Sequence, residues 1–522
     1  MRSRVYQPAL DSQARNAGER LFHFHGGLRL RHNKKISCQV PVQKAPLPQR
    51  LYVPLLQHTG REAEPTVVEG QQVLKGDQIG CFSHLGAGCV HAPTSGTVSA
   101  IIRHPISHAS GQEGRCIVIR PDGLDQWKEL DPVMDWQQCS PDDLRERIRG
   151  SGIVGLGGAV FPTAYKVEQA SRRNIHTLIL NGSECEPYIS CDEMLMREQP
   201  DSIVLGARIL QKAVDANQTI IAIEDQMGAV NQALQDAVDR SGATGIHIKK
   251  VTTIYPEGGE KQLIQVLTGL EVPSGGRPAD LGLLCQNVAT ATAVARAVTE
   301  GKPLIERIVT VTGNGVRRPR NLLALIGTPI ENLVDQCGGY SPDAARLVLG
   351  GPMMGYPLDS DNNPVIKAAN CVLALTGDDI RPLQPEMPCI RCGECARVCP
   401  AVLLPQQIHW AVRSDQWEEA ESAGLKDCIE CGCCDFVCPS HIPLVEWFRH
   451  GKSSLHEIAE DRCRADHARR RFEAREERLV RIKQERRQRM AEKKRAIKDE
   501  QGKKADIAAA IARAKKKQEQ NQ

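Results

Sequence analysis

Eight cysteines near the C-terminal end of the chain repeat one pattern, C-x2-C-x2-C-x3-C-P, twice. Three thiolates on one tight loop reach three corners of a cuboidal iron–sulfur cluster. The fourth, next to a proline, lies too far along the chain to close the same loop and serves the other cluster. The spacing therefore predicts two interlocked [4Fe-4S] clusters. Predicted cluster one takes Cys389, Cys392, Cys395 and Cys438, and predicted cluster two takes Cys428, Cys431, Cys434 and Cys399.

Zinc is the alternative metal for such a cysteine set. Structural zinc sites are built from paired C-x2-4-C knuckles, whereas this chain has a duplicated triple followed by C-P. The pattern therefore favours a two-cluster, ferredoxin-like electron relay. Cys433 lies inside the second copy but off its spacing, and we do not expect it to be a ligand.

A glycine-rich segment, SGIVGLGGAVFPTAYK, occupies residues 151–166. Its glycines allow the backbone to approach a phosphate or a flat ring closely. On its own this pattern favours a tight turn, because Val160 stands where G-x-G-x-x-G requires its last glycine. Three further segments favour a nucleotide site instead. They are NGSECEPY at 181–188, YPEGGEKQL at 255–263 and CQNVATA at 285–291.

These four segments, in this order, resemble the flavin-binding 51-kDa subunit of respiratory complex I. That family has a G-R-G-G-A-G-F-P-T loop, then N-A-D-E-S-E-P, Y-x-x-G-E-E and N-N-V-E-T. With the twin cysteine motif placed C-terminal to them, the chain resembles the RnfC-type subunits of the Rnf/Rsx ion-translocating electron-transport complex. The resemblance covers about residues 20–450.

The resemblance implies an FMN site built around the glycine-rich segment. Gly155, Gly157, Gly158 and Lys166 would hold FMN, and Phe161 would lie beside the nicotinamide of NAD(H). Glycines at these positions remove the Cβ atoms that would block a stacked ring or a phosphate.

The resemblance also assigns the other three segments. Asn181 and Glu184 would line the isoalloxazine, and Glu186 would reach the NAD(H) side. Glu184 and Glu186 are thus the implied catalytic carboxylates, which position the nicotinamide. The remaining implied contacts are Tyr255, Gly258 and Glu260, which continue the site, and Asn287 and Thr290, which approach the phosphate end of the flavin.

Three positions depart from the complex I pattern. Leu156 replaces an arginine, Ser183 an aspartate, and Gly259 one of two glutamates. Each departure removes a charge near the nucleotide. For any single residue, such as Glu184 or Tyr255, an ordinary structural or surface role is the alternative.

The sequence divides into five regions, which together predict a multidomain α/β and β protein. Residues 28–130 contain VVEGQQVLKGDQIG and VHAPTSGTV, which resemble a lipoyl-type barrel-sandwich hybrid. Residues 135–300 alternate strands and helices and predict a Rossmann-like FMN/NAD(H) domain with a parallel sheet. Residues 304–375 predict a small β-grasp-like domain of the SLBB type, and residues 380–445 the two-cluster ferredoxin-like domain. Residues 455–522 predict a basic tail, either helical or disordered.

The N-terminal β region lacks the residue that a carrier domain modifies. The stretch upstream of its A-P turn reads CFSHLGAG, without lysine, so we expect a scaffold or docking surface. Histidines 23, 25, 84 and 91 lack matched metal-ligand spacing, and we expect ordinary polar sites there.

Charge and hydropathy narrow the classes of function. The net charge is +4, but residues 461–522 carry a net +11, so a mildly acidic body precedes a basic tail. The tail has no aromatic residue besides Phe472, and we expect no nucleic acid partner. No apolar run reaches 18 residues and the first residues lack a secretory signal, which predicts a chain that stays on the cytoplasmic side.

The leading hypothesis is a peripheral subunit on the cytoplasmic face of the bacterial inner membrane. It would pass electrons between NAD(H) and two [4Fe-4S] clusters through FMN, alongside integral-membrane and iron–sulfur or flavin subunits of an ion-translocating complex. A flavin is required because hydride carries two electrons and each cluster takes one. The alternatives are a soluble diaphorase that feeds a hydrogenase or formate dehydrogenase, and a relay or docking protein with a degenerate nucleotide site.

Overall fold

The structure, a computed structural model, describes residues 21–58, 60–81, 88–380, 382 and 384–519. Most of the CFSHLGAG stretch, including His84, lies outside the described residues. The chain divides into two units, Met1–Phe448 and Arg449–Gln522.

The N-terminal β region forms two small antiparallel sheets. Their strands are β2 (Leu51–Pro54), β3 (Glu64–Pro65), β4 (Gln72–Val73), β5 (Gln78–Cys81), β6 (Val90–His91), β7 (Gly96–Pro105) and β8 (Glu113–Pro121). One sheet has the order β2-β8-β7-β4 and the other β3-β5-β6. Both sheets bury aliphatic side chains, among them Leu51, Ile79 and Ile117, in one shared core. This arrangement agrees with the predicted barrel-sandwich hybrid.

A four-stranded parallel sheet forms the centre of the molecule. Its strands are β9 (Thr177–Gly182), β10 (Gln218–Glu224), β11 (Ile246–Val251) and β12 (Leu283–Asn287), in the order β11-β10-β9-β12. Strands β9 and β10 are buried almost throughout, as parallel strands are when helices cover both faces. The sequence predicts strands at Thr177–Asn181, Thr219–Asp225 and Ile246–Val251, and the first three strands agree with these bounds within one residue.

Seven helices accompany this sheet. They are α1 (Pro141–Gly150), α2 (Thr163–Ser171), α3 (Cys191–Glu198), α4 (Pro200–Ala213), α5 (Gly228–Ser241), α6 (Glu260–Thr268) and α7 (Val288–Thr299). Ser140 and Asp143 form a capping box that starts α1. The sequence indicates helical structure near residues 192–214, and the structure has two helices there, because Pro200 cannot donate the backbone hydrogen bond that would continue α3.

The third region is a six-stranded mixed sheet. Its strands are β1 (Gln43–Lys44), β13 (Glu306–Thr312), β14 (Arg320–Leu325), β15 (Ala344–Leu349), β16 (Tyr356–Leu358) and β17 (Cys371–Thr376), in the order β1-β14-β13-β17-β15-β16. Helix α8 (Ile330–Gln336) packs in its core. Strand β1 comes from the N-terminal part of the chain and pairs in parallel with β14. The 28–130 region is therefore not self-contained.

The cysteine region contains four short helices and the start of a long one. They are α9 (Glu394–Arg397), α10 (Pro405–Arg413), α11 (Trp417–Ser422), α12 (Cys433–Val437) and α13 (Leu444–Glu519). Leu444, Val445 and Phe448 at the start of α13 are buried. Within the second unit, residues 449–519 are helical and mostly exposed, so the described part of the basic tail is helical. None of the described helices combines the length and apolarity that crossing a bilayer requires.

Residues 22–44, named the N-terminal segment here, run along three of these regions. Residues 135–300, which contain the four-stranded parallel sheet, are called the flavin-type region here. Leu28 pairs with Tyr255 of this region through two backbone hydrogen bonds. Gly27 N donates to Val398 O in the cysteine region over 3.0 Å, and Gln43 pairs with Leu322 in the third region. A Cβ at Gly26 would lie 2.5 Å from the Val398 backbone, so the segment approaches the cysteine region as closely as glycine permits.

Candidate cofactor sites

The carboxyl ends of β9 and β12 meet at the point where the order of the parallel sheet reverses. The chain leaves β9 toward β10 and later returns to place β12 on the other side of β9. In open α/β sheets, ligands bind in the crevice outside such a switch point. Asn181 and Asn287 face each other there as register partners. The fold therefore brings two of the four sequence segments to the expected ligand edge.

Hydrogen bonds fix both asparagines. Asn181 Nδ2 donates to Gly258 O over 2.8 Å, which ties the 255–263 segment to the same edge. Asn287 Oδ1 caps α7 by accepting from Ala289 N, and its Nδ2 donates to Asp192 Oδ2 over 2.6 Å. The sequence assigned Asn287 to the flavin site by resemblance, and neither its capping of α7 nor its bond to Asp192 was predicted.

The glycine-rich loop packs against the same edge of the sheet, where β9 and β12 end. Leu156 N donates to the buried Thr290 Oγ1 over 3.0 Å, and Gly155 N donates to Phe161 O over 2.8 Å. A Cβ at Gly157 would lie 3.3 Å from Asn287 Cβ, so the loop and α7 are in close contact. Gly158 has a φ of +115°, and a Cβ there would meet nothing within 4 Å. The loop thus presents open backbone, which fits a flat ring or a phosphate.

Phe161 and Lys166 lie at the far end of this loop. The Phe161 ring is 40 % exposed and contacts Tyr165 edge to face, with ring centroids 5.6 Å apart. Lys166 Nζ forms an ion pair with Glu260 at the start of α6 and donates to Cys285 O over 2.7 Å. Lys166 and Glu260 therefore lie together, at the neighbouring ends of β12 and α6.

Glu184 is buried at the N-terminus of α3. Its Oε1 accepts from Cys191 Sγ at 3.3 Å and from Asp192 N at 3.0 Å, and Lys34 Nζ lies 3.9 Å from its Oε2. Burial raises the pKa of the Glu184 carboxyl to about 8, with Lys34 opposing the rise. Because its oxygens are held by helix N–H groups, this carboxylate is fixed in position.

Sequence reasoning missed three charged residues around Glu184. Lys34 from the N-terminal segment reaches Glu184 and Glu224, Asp192 binds Asn287, and Arg307 from β13 is buried close to Asp192. These residues come from three separate elements, and no spacing in the sequence connects them. They place charged groups near a site in which Leu156 and Gly259 replace charged residues of the complex I pattern.

Glu186 is bound by a loop of the third region. Its Oε1 accepts from Met353 N at 2.7 Å and from Met354 N at 2.9 Å. A Cβ at Gly351 would lie 2.0 Å from Glu186 Cγ, so this loop wraps the side chain. Burial raises the pKa of Glu186 above its ordinary value, and the two N–H groups work against that rise.

Tyr255 and Gly258 lie between the parallel sheet and the cysteine region. A Cβ at Gly258 would lie 2.5 Å from Ser183 O, so the two loops are in direct contact. The buried Tyr255 hydroxyl donates to Cys431 O over 2.6 Å. The segment predicted to continue the flavin site therefore also contacts the second cysteine motif.

Two cavities in the cysteine region collect the eight cysteines. One cavity is lined by Cys389, Cys392, Cys395 and Cys438, together with residues of α10. The other is lined by Cys399, Cys428, Cys431 and Cys434, together with apolar side chains such as Ile408 and Phe448. Each cavity thus takes three cysteines from one motif and the fourth from the other. Four thiols around one cavity are the donor set that a [4Fe-4S] cluster requires.

Cys433, which the spacing excluded as a ligand, also lines the second cavity. It is fully buried and packs with Cys431 in one cluster. His25 of the N-terminal segment contacts Cys399, which lines the same cavity, with Nδ1 2.9 Å from Cys399 O. Neither contact has a signal in the sequence, because both depend on how the regions pack.

Family models match four parts of the chain. They are an RnfC barrel sandwich hybrid domain over residues 22–124, a Nuo51 FMN-binding domain over 148–296, an SLBB domain over 308–357 and a 4Fe-4S dicluster domain over 387–442. The predicted fold classes of these regions are thereby confirmed. The chain carries an FMN-binding type of domain and a [4Fe-4S] type of domain.

Among solved structures, an NAD+-reducing [NiFe]-hydrogenase in the H2-reduced state is similar to this chain. The TM-score is 0.45 at 17 % identity, over 58 % of this chain and 61 % of that chain.

Curated relatives match most of the chain. The RnfC-type subunit of the ion-translocating oxidoreductase complex of Pseudomonas aeruginosa is 48 % identical over 89 % of this chain and 60 % of its own length. The corresponding subunit of Serratia proteamaculans is 44 % identical over 96 % of this chain and 70 % of its own length. The chain thus spans 60 to 70 % of the length of these two relatives. With these identities and the matching domains, the chain belongs to the RnfC family of ion-translocating oxidoreductase complex subunits.

Proposed function

We propose that this chain is an electron-transfer subunit that exchanges electrons with NAD(H) through FMN and two [4Fe-4S] clusters. The observation that carries the proposal is the contact between the two candidate sites. Tyr255 and Cys185, from segments at the flavin edge, share one apolar cluster with Cys431 and Cys433. Electron transfer requires short separations between carriers, and this packing supplies one continuous protein contact.

FMN supplies the conversion between two-electron hydride chemistry and one-electron transfer. The residues of the chain hold and orient the reactants. The open backbone at Gly158 receives the flavin, Asn181 and Asn287 fix the floor of the site, and Glu184 and Glu186 present fixed carboxylates toward the nicotinamide.

The contacts support an order for the two clusters. Cluster two lies against the flavin-type region, because Cys431 accepts from Tyr255 and Val398 accepts from the N-terminal segment. The cluster one motif is the more open of the two, since Cys392 is exposed and Ile390 is 68 % exposed. Cluster two is therefore the carrier next to the flavin, and cluster one is the exit toward a partner.

The proposed setting is a peripheral position on the cytoplasmic face of the bacterial inner membrane. The name of the relatives, ion-translocating oxidoreductase complex, supports integral-membrane and iron–sulfur or flavin subunits as partners. The oxidation of NADH, or its formation, would then be coupled to ion movement by those partners. The soluble diaphorase interpretation has no comparable support.

Spectroscopy of anaerobically purified protein tests the proposal. We expect about eight iron and eight sulfide per chain, because two four-iron clusters are proposed. We also expect bound FMN, and bleaching of the flavin and iron–sulfur absorption when NADH is added. Apoprotein from which iron has been chelated is the control, and should show no cluster bleaching. Tightly bound zinc without iron–sulfur absorption would contradict the cluster assignment, and clusters that stay oxidised with NADH would contradict the electron route.

A further inference from the structure

Tyr255 is held on two sides in a dry part of the protein. Its backbone N and O both pair with Leu28, at 2.9 and 2.7 Å. Its side chain is 3 % exposed and packs among Cys431, Cys433 and partly buried apolar groups such as Met353. The direction of its hydroxyl is therefore fixed by the protein and not by water.

The hydroxyl points at a peptide of the cluster two motif. It donates to the carbonyl of Cys431, the second cysteine of that motif, over 2.6 Å. Two other donors from outside the cysteine region reach peptides of the same cluster, since His25 approaches Cys399 O and Gly27 N donates to Val398 O. The carbonyls around cluster two are thus engaged by elements that the cysteine motif itself does not contain.

Hydrogen bonds and solvent exposure set the reduction potential of iron–sulfur clusters. A carbonyl oxygen near a cluster disfavours an added electron, because its partial charge is negative. A donor on that oxygen offsets the negative charge, and in a dry environment the effect is strong. The same bond also fixes the loop whose N–H groups face the cluster, as outer-shell partners do at metal sites.

We propose that Tyr255 is a positioning residue for cluster two, whose hydrogen bond to the Cys431 carbonyl makes that cluster easier to reduce than it would be without the hydroxyl. The inference rests on the proposed function, since it requires that the four cysteines hold a cluster. It goes beyond the sequence prediction for Tyr255, which placed this residue at the flavin only.

Tyr255→Phe tests the inference, because it removes the hydroxyl and keeps the ring. The readout is an EPR-monitored redox titration of the anaerobically purified chain. One of the two cluster midpoints should move to a more negative potential, and the other should stay. We expect about a threefold lower ratio of reduced to oxidised cluster at a fixed ambient potential, which is ~28 mV for one electron.

Tyr356→Phe is the matched control. Tyr356 also donates its hydroxyl to a backbone carbonyl over 2.6 Å, that of Ser107, in a part of the molecule without candidate ligands. It should leave both midpoints in place. A second variant with 3-fluorotyrosine at position 255, a stronger donor, should move the same midpoint in the positive direction.

The outcomes separate the inference from the function it rests on. A chain that binds no clusters would contradict the proposed function. Two intact clusters with unmoved midpoints in Tyr255→Phe would overturn the inference alone, as would equal shifts in Tyr356→Phe. If Tyr255→Phe lost its flavin and neither cluster midpoint changed, Tyr255 would act at the flavin and not at cluster two, and the inference would be overturned.

Discussion

Lys34 Nζ lies 3.5 Å from Glu224 Oε2, and both side chains are buried. The pair joins the N-terminal segment to the carboxyl end of β10. Lys34 also lies 3.9 Å from the Glu184 carboxylate, so one ammonium serves two buried acids. Burial acts to lower the pKa of Lys34, but Glu224 and Glu184 outweigh it and raise the pKa above its ordinary value. Lys34 is therefore charged at neutral pH.

Removing this charge leaves two buried carboxylates without their cation. We expect Lys34→Met to destabilise the protein by ~3–5 kcal/mol, the usual cost of breaking a buried ion pair on one side. Urea unfolding of the anaerobically purified protein measures the loss. Lys35→Met is the control, because Lys35 is the exposed neighbour in the same segment. If both variants lost the same free energy of unfolding, the contacts of Lys34 would contribute nothing specific to stability.

Gly158→Val should abolish FMN binding while both clusters remain. A valine at a φ of +115° is strained, and its side chain would occupy the open space over the loop. Gly123→Val carries the same type of strain, with φ at +80° and open space for a Cβ, but lies outside the candidate site. Flavin titration of both variants measures the difference. Flavin binding that survives in Gly158→Val would show that the glycine-rich segment is only a turn.

Replacing the fourth cysteine of each motif by serine tests which of the two clusters that cysteine binds. Cys399→Ser should give the EPR spectrum of Cys428→Ser, because both residues line the same cavity. Cys438→Ser should likewise match Cys389→Ser. Each variant should retain about four iron, those of the intact cluster. If Cys399→Ser instead matched Cys389→Ser, each motif would bind its own cluster and the interlocked assignment would be wrong.

Glu257 gives the protein a pH dependence of stability. It is buried, accepts from Ser183 Oγ, and its Oε1 has no hydrogen-bond partner among the described residues. Burial raises the pKa of its carboxyl to about 8, from an ordinary value of 4.5. Between these values the folded state holds a proton that the unfolded state has lost, so stability falls as pH rises, by at most about 1.4 kcal/mol per pH unit.

Glu257→Gln should remove this dependence. The amide resembles the neutral carboxyl and does not ionise, so its melting temperature should fall less between pH 6 and pH 8 than that of the unaltered protein. Calorimetry at several pH values measures the difference. Glu129→Gln, at an exposed position, should behave as the unaltered protein does. If the melting temperatures of both variants fell equally between pH 6 and pH 8, the titrating group would not be Glu257.

Local patterns predicted the central sheet well. The runs at Thr177–Gly182 and Gln218–Glu224 are mostly apolar and contain β-branched residues, and parallel strands covered by helices have this composition. The cysteine spacing was equally informative, because each of the two cavities takes three of its predicted ligand cysteines from one motif. In both cases the signal lies within a short interval of the sequence.

Contacts between regions could not be predicted from local sequence patterns. The pairing of Gln43 with Leu322 and the approach of Lys34 to Glu184 join residues that are far apart in the chain. Glu184 illustrates the consequence. Its place in a flavin-type motif was readable from the residues around it, whereas its burial and raised pKa depend on Lys34 and on the N-terminus of α3. The roles of the predicted flavin and NAD(H) residues remain predictions.

The path of the N-terminal segment has a consequence for biosynthesis. This segment is synthesised before its partners Tyr255, Leu322 and Val398, which follow hundreds of residues later. It cannot take its final position until the first cysteine motif has been made, and contacts of such long sequence separation form slowly. The regions that it crosses are thus completed before it closes over them. Docking of this segment is a late step in maturation, after which Tyr255 and the Cys399 peptide are both covered.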